Sequence, residues 1–231
     1  MLGYVGRVLP PDQEHRELSL DGDTGRASIA FHADLMSTPE PYKVLSLYAI
    51  TVEEDQTTTR FVDGGRAVRT LPAELRAKAG RMEAVTVMPQ ISTHREIEYD
   101  PPAFMPRHSQ PAIIRHPVTD EPILYVSEMQ TARIGDLPPV ESEALLNELF
   151  AHFYADDAVR EHRWRTGDLV VWDNMAQQHA RPDQSDATVR HLRRVCVADK
   201  GFYELCPVFV PGDPRILAWG RGEKYGAEAT P

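Results

Sequence analysis

The sequence contains few of the residues that mark several large classes of protein. Its two cysteines, Cys196 and Cys206, are too few for a disulfide framework, and both lie in apolar surroundings, so we expect reduced thiols in the core. It has 25 Lys and Arg against 35 Asp and Glu, a net charge of -10. A protein that binds a phosphate backbone needs clustered excess cations, so a nucleic-acid partner is not expected.

Long hydrophobic runs are also missing. Only 42% of the residues are hydrophobic, and no uninterrupted apolar stretch reaches the roughly 20 residues of a membrane-spanning helix, so no membrane partner is expected. Residues 1–9 do not show the charged and then apolar pattern of a secretory signal, and we therefore expect a cytoplasmic protein. No repeat or linker divides the chain, which predicts one domain over residues 1–231.

Short strand-like segments make up most of the pattern that is present. They cover residues 43–52, 83–88, 112–115, 123–126, 168–173 and 192–198. Two helices are predicted between them, over 71–81 and 141–154, and the second carries an apolar stripe at helical spacing. The proline-rich segment 100–111 has neither period and is predicted to be a loop that forms part of a lid. Many short strands with few flanking helices predict a mainly β fold of the jelly-roll type.

His32 and Asp34 are the first candidate metal ligands. Side chains alternate between the two faces of an extended segment, so residues at i and i+2 project from the same side and can reach one ion. His179 lies at the end of the apolar run 169–172, which we interpret as a buried strand, and would complete a set of two imidazoles and one carboxylate. That set leaves one face of a ferrous ion open for chemistry. The spacing of His32 and Asp34 also occurs by chance, so alone it only suggests a metal site.

Two arginines downstream form a candidate anion site. Residues 190–197 alternate as a strand would, which places Arg190, Leu192 and Arg194 on one face. Two guanidinium groups on an inward face each need an anion to offset their desolvation. A guanidinium also meets a carboxylate through two parallel hydrogen bonds, which fixes orientation as well as charge. A dicarboxylate would suit such a site.

Several motifs connect these residues in a fixed order. They are Phe31-His32-Ala33-Asp34, Thr59-Arg60-Phe61-Val62-Asp63, His116-Pro117-Val118-Thr119, the run from Gly167 to Asn174, Gln178-His179, and the run from Arg190 to Val195. In these motifs, from His32 to about Asp199, the chain resembles the taurine/2-oxoglutarate (TauD/TfdA-like) dioxygenase family. The resemblance implies a double-stranded β-helix, the cupin-like jelly roll of that family.

The resemblance also implies residue roles. His32, Asp34 and His179 match the Fe(II) ligands, while Thr59 and Arg190 match the residues that bind 2-oxoglutarate. By the same resemblance, Arg194 matches a position that binds an anionic substrate in several relatives, although it could instead support Arg190 or the iron-bound carboxylate of 2-oxoglutarate. Gln130 falls where relatives often have an aromatic pocket residue, which predicts substrate binding in a more polar cavity. Trp172 is expected to pack beside the metal, and Asp173 or Asn174 to orient His179.

These residues together predict an Fe(II)- and 2-oxoglutarate-dependent dioxygenase. We expect it to use O2 to oxidise, by default to hydroxylate, a C–H bond of a small, anionic organic molecule, with release of succinate and CO2. Heteroatom release, desaturation and epoxidation are alternative outcomes. Another hypothesis is a non-catalytic cupin-like protein that binds a small molecule, and a third is a zinc hydrolase, which leaves Arg190 and Thr59 unexplained. Because only 31 residues precede His32, we expect an open site or a covering subunit of a homo-oligomer.

Overall fold

The computed structural model describes residues 6–10, 17–21, 26–88 and 105–207. The strands in these ranges are β1 (Glu17–Ser19), β2 (Ile29–His32), β3 (Val44–Val52), β4 (Thr58–Asp63), β5 (Glu83–Val87), β6 (Arg107–Pro111), β7 (Ile113–Arg115), β8 (Pro122–Leu124), β9 (Thr131–Ile134), β10 (Arg160–Arg163), β11 (Leu169–Asp173), β12 (Gln177–Arg181) and β13 (Arg190–Val197). The helices are α1 (Gly64–Thr70), α2 (Ala73–Ala79), α3 (Pro139–Phe153) and α4 (Phe202–Leu205).

Two antiparallel sheets of four strands form the frame of the site. The first, which we call the major sheet, has the order β1-β13-β3-β11, and the second, the minor sheet, has the order β10-β4-β12-β2. Side chains from both sheets pack together between them, as where the ring of Phe61 on β4 meets Trp172 on β11 edge-on with centroids 5.2 Å apart. This confirms the predicted jelly roll with a mainly β core.

Burial on both faces of the minor sheet fixes the direction of its side chains. On β4, Val62 faces away from the major sheet and joins the hydrophobic cluster of α1 and α3. Its neighbours Thr59 and Phe61 face the space between the sheets, because side chains alternate along a strand. The turn that follows β4 is fixed by Asp63, whose carboxylate accepts a hydrogen bond from the backbone N–H of Arg66 and caps α1.

The apolar stripe predicted on the second helix lies in the core. Its members Leu145, Leu146, Leu149, Phe150 and Phe153 are all buried within α3. The structure also buries Cys196 and Cys206 as free thiols. Each predicted strand has a counterpart, although their ends differ by one to a few residues. Periodicity therefore located the elements that carry most of the core.

Two predictions about the elements were wrong. The helix predicted over 71–81 begins only at Ala73, because Leu71 and Pro72 are extended, and a second helix, α1, precedes this break. The segment 100–111 is not a loop throughout, since Arg107–Pro111 forms β6 and pairs with β5. Residues 100–104 of the predicted lid lie outside the described residues. No helix in the described ranges is long and apolar enough to cross a membrane.

Candidate metal centre and anion pocket

Three predicted ligands meet at the open end of the minor sheet. His32 is the last residue of β2, His179 lies on β12 directly opposite it, and Asp34 follows two residues after His32. Nε2 of His32 is 3.5 Å from Oδ1 of Asp34, and Nε2 of His179 is 4.0 Å from the same oxygen. One ligand atom from each residue lies within 4.8 Å of the other two, so these three side chains could hold one metal ion.

The route of the chain to His179 differs from the prediction. His179 does not end the strand of the apolar run, because β11 stops at Asp173 in the major sheet and β12 belongs to the minor sheet. Asp173 shapes the turn between them, since its Oδ1 accepts hydrogen bonds from the backbone N–H groups of Met175 and Ala176. Its Oδ2 lies 2.9 Å from Nε2 of His116, which joins the His-Pro-Val-Thr turn to this one.

Hydrogen bonding and burial prepare both imidazoles for a cation. Nδ1 of His32 is 2.8 Å from the carbonyl oxygen of Ala30, an acceptor, so this nitrogen carries the proton and Nε2 keeps its lone pair. Burial lowers the pKa of His179 to about 3, with the neighbouring His32 acting in the same direction. His179 is therefore neutral at pH 7, which is the form that binds a metal.

Asp34 is held as a carboxylate despite its burial. Desolvation opposes its ionisation, but the contact with His32 and the charge of Arg194 outweigh that cost and hold its pKa well below the usual range. Nη1 of Arg194 donates a hydrogen bond of 2.9 Å to Oδ2 of Asp34. The ligand set thus consists of two imidazoles and one anion, which fits a divalent first-row metal such as Fe(II).

Two buried carboxamides hold the backbone between the ligands, and we call Gln130 and Asn174 the carboxamide clamp. Gln130 accepts a hydrogen bond from Ala33 N (3.0 Å) and donates one to Ala33 O (2.8 Å). Asn174 accepts from Asp34 N (2.9 Å) and donates to Asp34 O (3.0 Å) and to Tyr42 O (2.8 Å). Two successive residues of the ligand segment are therefore fixed at both polar groups of their backbones.

The carboxamide clamp changes two sequence-based predictions. Gln130 is not among the described residues that line the cavity, since its amide is used on Ala33. Asn174 contacts the segment of Asp34 rather than His179, and Asp173 contacts His116. Trp172 packs against the ring of His179 with centroids 4.9 Å apart, as expected. The sequence showed that these polar residues were near the metal but not which ligand each one holds.

The cavity next to the ligands extends between the two sheets. The residues that line it are Leu18, Ile29, His32, Asp34, Leu47, Thr59, Trp172, His179, Ala180, Arg181, Arg190 and Arg194. At one end lie the metal ligands, and the remaining polar side chains of the lining are one hydroxyl and three guanidinium groups. We call the part formed by Thr59, Arg181 and Arg190 the anion pocket.

Thr59 presents a hydrogen-bond donor to the cavity. The side chain is 2% exposed, and its Oγ1 accepts a hydrogen bond of 2.9 Å from Nε1 of Trp164. A hydroxyl that accepts from an indole keeps its own proton for another acceptor. The role of Trp164 could not be predicted from the sequence, because it depends on the pairing of β10 with β4.

Arg190 and Arg194 lie on one face of β13, in agreement with the predicted alternation, and both line the cavity. Arg190 is 4% exposed, and its Nε has no hydrogen-bond partner among the described residues. Burial, and to a smaller extent the charge of Arg181, lower its pKa to about 9. Arg181 was not singled out from the sequence, although it is two residues after His179 and the same alternation rule places it on the same face.

Comparison with known proteins identifies the family. A family model described as taurine catabolism dioxygenase TauD, TfdA family, matches residues 4–196. The chain belongs to this family. The motifs of this family include five residues that line one cavity in the structure: His32, Asp34, Thr59, His179 and Arg190.

The chain is also similar to named relatives, and it shares its fold with a solved structure. An alpha-ketoglutarate-dependent sulfate ester dioxygenase of Pseudomonas putida is 26% identical over 192 residues, covering 78% of this chain and 63% of the relative. Pentalenolactone F synthase of Streptomyces arenae is 40% identical over 85 residues, 37% of this chain and 28% of the relative. The chain therefore spans less than two thirds of either relative. A taurine dioxygenase structure from Burkholderia xenovorans has the same fold, with a TM-score of 0.70 at 22% identity over 85% of this chain and 69% of that one.

Proposed function

We propose that the protein is an Fe(II)- and 2-oxoglutarate-dependent dioxygenase that oxidises a C–H bond of a small organic anion. It consumes O2 and releases succinate and CO2. The observation that carries the proposal is the cavity in which His32, Asp34 and His179 lie together with Thr59 and Arg190. The Pseudomonas putida relative, by its name, depends on alpha-ketoglutarate, and this supports the same cosubstrate here.

His32, Asp34 and His179 would hold the iron. A buried carboxylate with two neutral imidazoles matches the facial triad of non-heme Fe(II) oxygenases, which leaves coordination positions for other ligands. When bound there, Fe(II) supplies the redox chemistry with O2 that no side chain of the chain can supply. The carboxamide clamp keeps Asp34 and His32 in place, so this end of the cavity needs little rearrangement to accept the ion.

Thr59 and Arg190 would bind and orient 2-oxoglutarate. The guanidinium of Arg190 offers paired donors to the distal carboxylate, and the hydroxyl of Thr59 offers a third hydrogen bond. The apolar side chains of Leu18, Ile29 and Leu47 line the same cavity and exclude water around the bound molecule. Charged hydrogen bonds are stronger in such surroundings than in water, so a single cosubstrate orientation is favoured.

Arg194 supports the proposal that the primary substrate is an anion. It lines the cavity, and its Nη1 contacts the carboxylate of Asp34 at 2.9 Å, which places a cation beside the metal ligands. A guanidinium has five N–H donors, so it can hold Asp34 and a second anionic group together. Sulfonates, sulfate esters and carboxylic acids are the substrate classes to test.

Succinate formation tests the function directly. Purified protein with Fe(II), 2-oxoglutarate and O2 is expected to release succinate slowly without substrate, and faster with the right organic anion. Under anaerobic conditions, Fe(II) and 2-oxoglutarate together should produce a visible charge-transfer band. The Asp34→Ala variant should show neither signal. Absence of both signals in the wild-type protein would contradict an enzyme and favour the non-catalytic binding protein.

A further inference from the structure

Trp164 is a buried residue near the cavity to which the proposed function gives no role. Its side chain is 0% exposed and belongs to the hydrophobic cluster that also contains Trp172, but it is not among the described residues that line the cavity. Its one polar side-chain atom, Nε1, donates a hydrogen bond of 2.9 Å to Oγ1 of Thr59, which does line the cavity. Trp164 is therefore linked to the cavity through the hydroxyl of Thr59.

The surrounding strands hold the indole of Trp164 in place. β10 pairs with β4 so that His162 lies opposite Thr59, and the backbone N–H of Trp164 then donates a hydrogen bond of 3.0 Å to the carbonyl oxygen of Thr57. The ring of His162 meets the indole edge-on, with centroids 4.5 Å apart. Side chains in a packed interior have little freedom to rotate, so the core sets the direction of the indole N–H.

The chemistry of the indole decides how the Thr59 hydroxyl is used. An indole N–H is a donor only, whereas a hydroxyl has one donor and two acceptor positions. Oγ1 of Thr59 therefore accepts from Trp164, and within the described ranges of the chain it has no other hydrogen-bond partner. Its proton remains for a ligand in the cavity that Arg190 also lines. A hydroxyl fixed as a donor favours a charged acceptor, because such hydrogen bonds are about twice as strong as neutral ones.

We propose that Trp164 is a positioning residue that fixes the Thr59 hydroxyl as a donor to the distal carboxylate of 2-oxoglutarate. This assignment rests on the proposed function and deepens it. Trp164 acts through Thr59 and not by its own contact with the cosubstrate. By occupying an acceptor position of the hydroxyl, it strengthens the preference for 2-oxo acids that have a second carboxylate over those that have none.

The test compares 2-oxoglutarate with 2-oxopentanoate, an acid of equal chain length that lacks the distal carboxylate. Their dissociation constants are measured by anaerobic titration of the Fe(II)-loaded protein through the charge-transfer band. Trp164→Phe removes the N–H but keeps a large aromatic ring. It should weaken 2-oxoglutarate binding about 3- to 10-fold and change 2-oxopentanoate binding by less than about twofold. Thr59→Val removes the hydroxyl itself and should weaken 2-oxoglutarate binding about 10-fold or more.

The double variant separates positioning from packing. If Trp164 acts through the hydroxyl, adding Trp164→Phe to Thr59→Val should change 2-oxoglutarate binding by less than about twofold. Losses that multiply in the double variant would show that the indole only packs, and they overturn the assignment. Equal weakening of both acids by Trp164→Phe, or of neither, also overturns it.

Tyr125→Phe is the matched control, because it also removes one polar hydrogen from a buried aromatic side chain. Tyr125 is 2% exposed, its hydroxyl has no hydrogen-bond partner among the described residues, and it is not part of the described lining. This variant should leave both dissociation constants unchanged.

A second measurement applies if Trp164→Phe does not fold. In the wild-type protein loaded with diamagnetic Zn(II), NMR detects the Nε1–H of Trp164, which is assigned by replacing each of the other two tryptophans with Phe. A hydroxyl that donates to a carboxylate becomes a stronger acceptor, so 2-oxoglutarate should move this resonance downfield and 2-oxopentanoate should not. Equal shifts with both acids, or none, overturn the assignment. A wild-type protein that gives no charge-transfer band with either acid overturns the proposed function as well, so the two failures are distinguishable.

Discussion

The two ends of the cavity are built on different principles. At the metal end, two of the three ligands already have a partner in the protein: Asp34 has Arg194 and His32 has Ala30 O, and the backbone between these ligands is held by the carboxamide clamp. In the anion pocket, Arg181 and Arg190 are buried near each other, and Asp34, the one carboxylate among the described lining residues, lies at the metal end. The metal end is preorganised around its carboxylate, whereas the anion pocket brings two buried guanidinium groups close together, and a bound anion would stabilise this arrangement.

This difference predicts how each end responds to change. A preorganised site loses function when its geometry is disturbed, even if no ligand contact is removed. A pocket of buried like charges loses ligand affinity when a cation is removed, but its fold should tolerate the change, because an unfavourable charge is removed with it. Substitutions at the two ends should therefore separate metal binding from 2-oxoglutarate binding.

The largest effect is expected from a ligand of the metal. His179→Ala should lower Fe(II)-dependent succinate release more than about 100-fold, since loss of a direct ligand costs more than loss of the groups around it. Bound iron after gel filtration and succinate yield are the measurements. His191→Ala is the matched control, because His191 lies on the outer side of β13 and contacts Glu17. Iron retained by His179→Ala at the wild-type level would show that His179 is not a ligand.

The next largest effect is expected in the anion pocket. Arg190→Gln should raise the 2-oxoglutarate concentration required for half-maximal succinate release by about 10- to 100-fold, because a charge-assisted pair of hydrogen bonds is lost. Iron binding should stay within about twofold of wild type. The exposed Arg193, which pairs with Glu17, provides the matched control as Arg193→Gln. Equal losses of iron and 2-oxoglutarate binding in Arg190→Gln would remove the distinction between the two ends.

The metal end could be predicted almost completely from the sequence, because local spacing and short motifs indicate its candidate ligands. His32 and Asp34 are two residues apart, and alternation alone brings them together. His179 was recognised by its position after the apolar run, yet its strand was assigned to the wrong place. A turn of three residues carries the chain from one sheet to the other, and nothing in the composition of 174–176 reveals that crossing.

The anion pocket was predicted only in part, because it depends on contacts between sheets. Arg190 followed from the family motif, but Arg181 and Trp164 act through the pairing of β12 and β10 with β4. Gln130 was predicted as a pocket residue from its motif position, whereas its amide turns to Ala33. A polar side chain that satisfies backbone groups leaves no periodic signal, so its partner is visible only in three dimensions.

Arg194 contacts Asp34 at the metal end and lines the same cavity as Arg190, so it tests whether the two ends are independent. If it binds an anionic substrate, Arg194→Ala should raise the substrate concentration required for half-maximal activity about 10-fold, with the 2-oxoglutarate requirement changed by less than about threefold. The substrate is first identified by a screen of organic anions for stimulated succinate release. A matched comparison is Arg190→Gln, which should show the opposite pattern. A larger change in the 2-oxoglutarate requirement would instead place Arg194 with the cosubstrate.

A moderate effect on metal binding is expected from the carboxamide clamp. Asn174→Ala removes three hydrogen bonds, two of them to Asp34, without removing any ligand atom. Loss of such supporting groups costs about 10- to 100-fold in metal affinity, and we expect the lower part of that range. Iron titration of the folded variant is the measurement, and Asn147→Ala on the exposed side of α3 is the control. Unchanged iron affinity would show that His32 and Asp34 hold their positions without Asn174.

The smallest effect is expected in the metal-free protein, where the free energy of unfolding should depend on pH through two of the metal ligands. The pKa of His179 is about 3 in the folded state and 6.5 in the unfolded chain, so only the unfolded chain takes up this proton as the pH falls below about 6.5. The contribution of His179 to the free energy of unfolding is complete above that pH. It is lost progressively towards pH 3, at a slope of up to about 1.4 kcal/mol per pH unit. Asp34 acts in the same direction at lower pH, since its folded pKa is also lowered.

Urea unfolding of wild type and His179→Gln between about pH 7 and pH 4.5 measures the slope, which should be smaller in the variant. Parallel slopes would show that the pKa of His179 is the same in the folded and unfolded protein, so burial would not favour its neutral form.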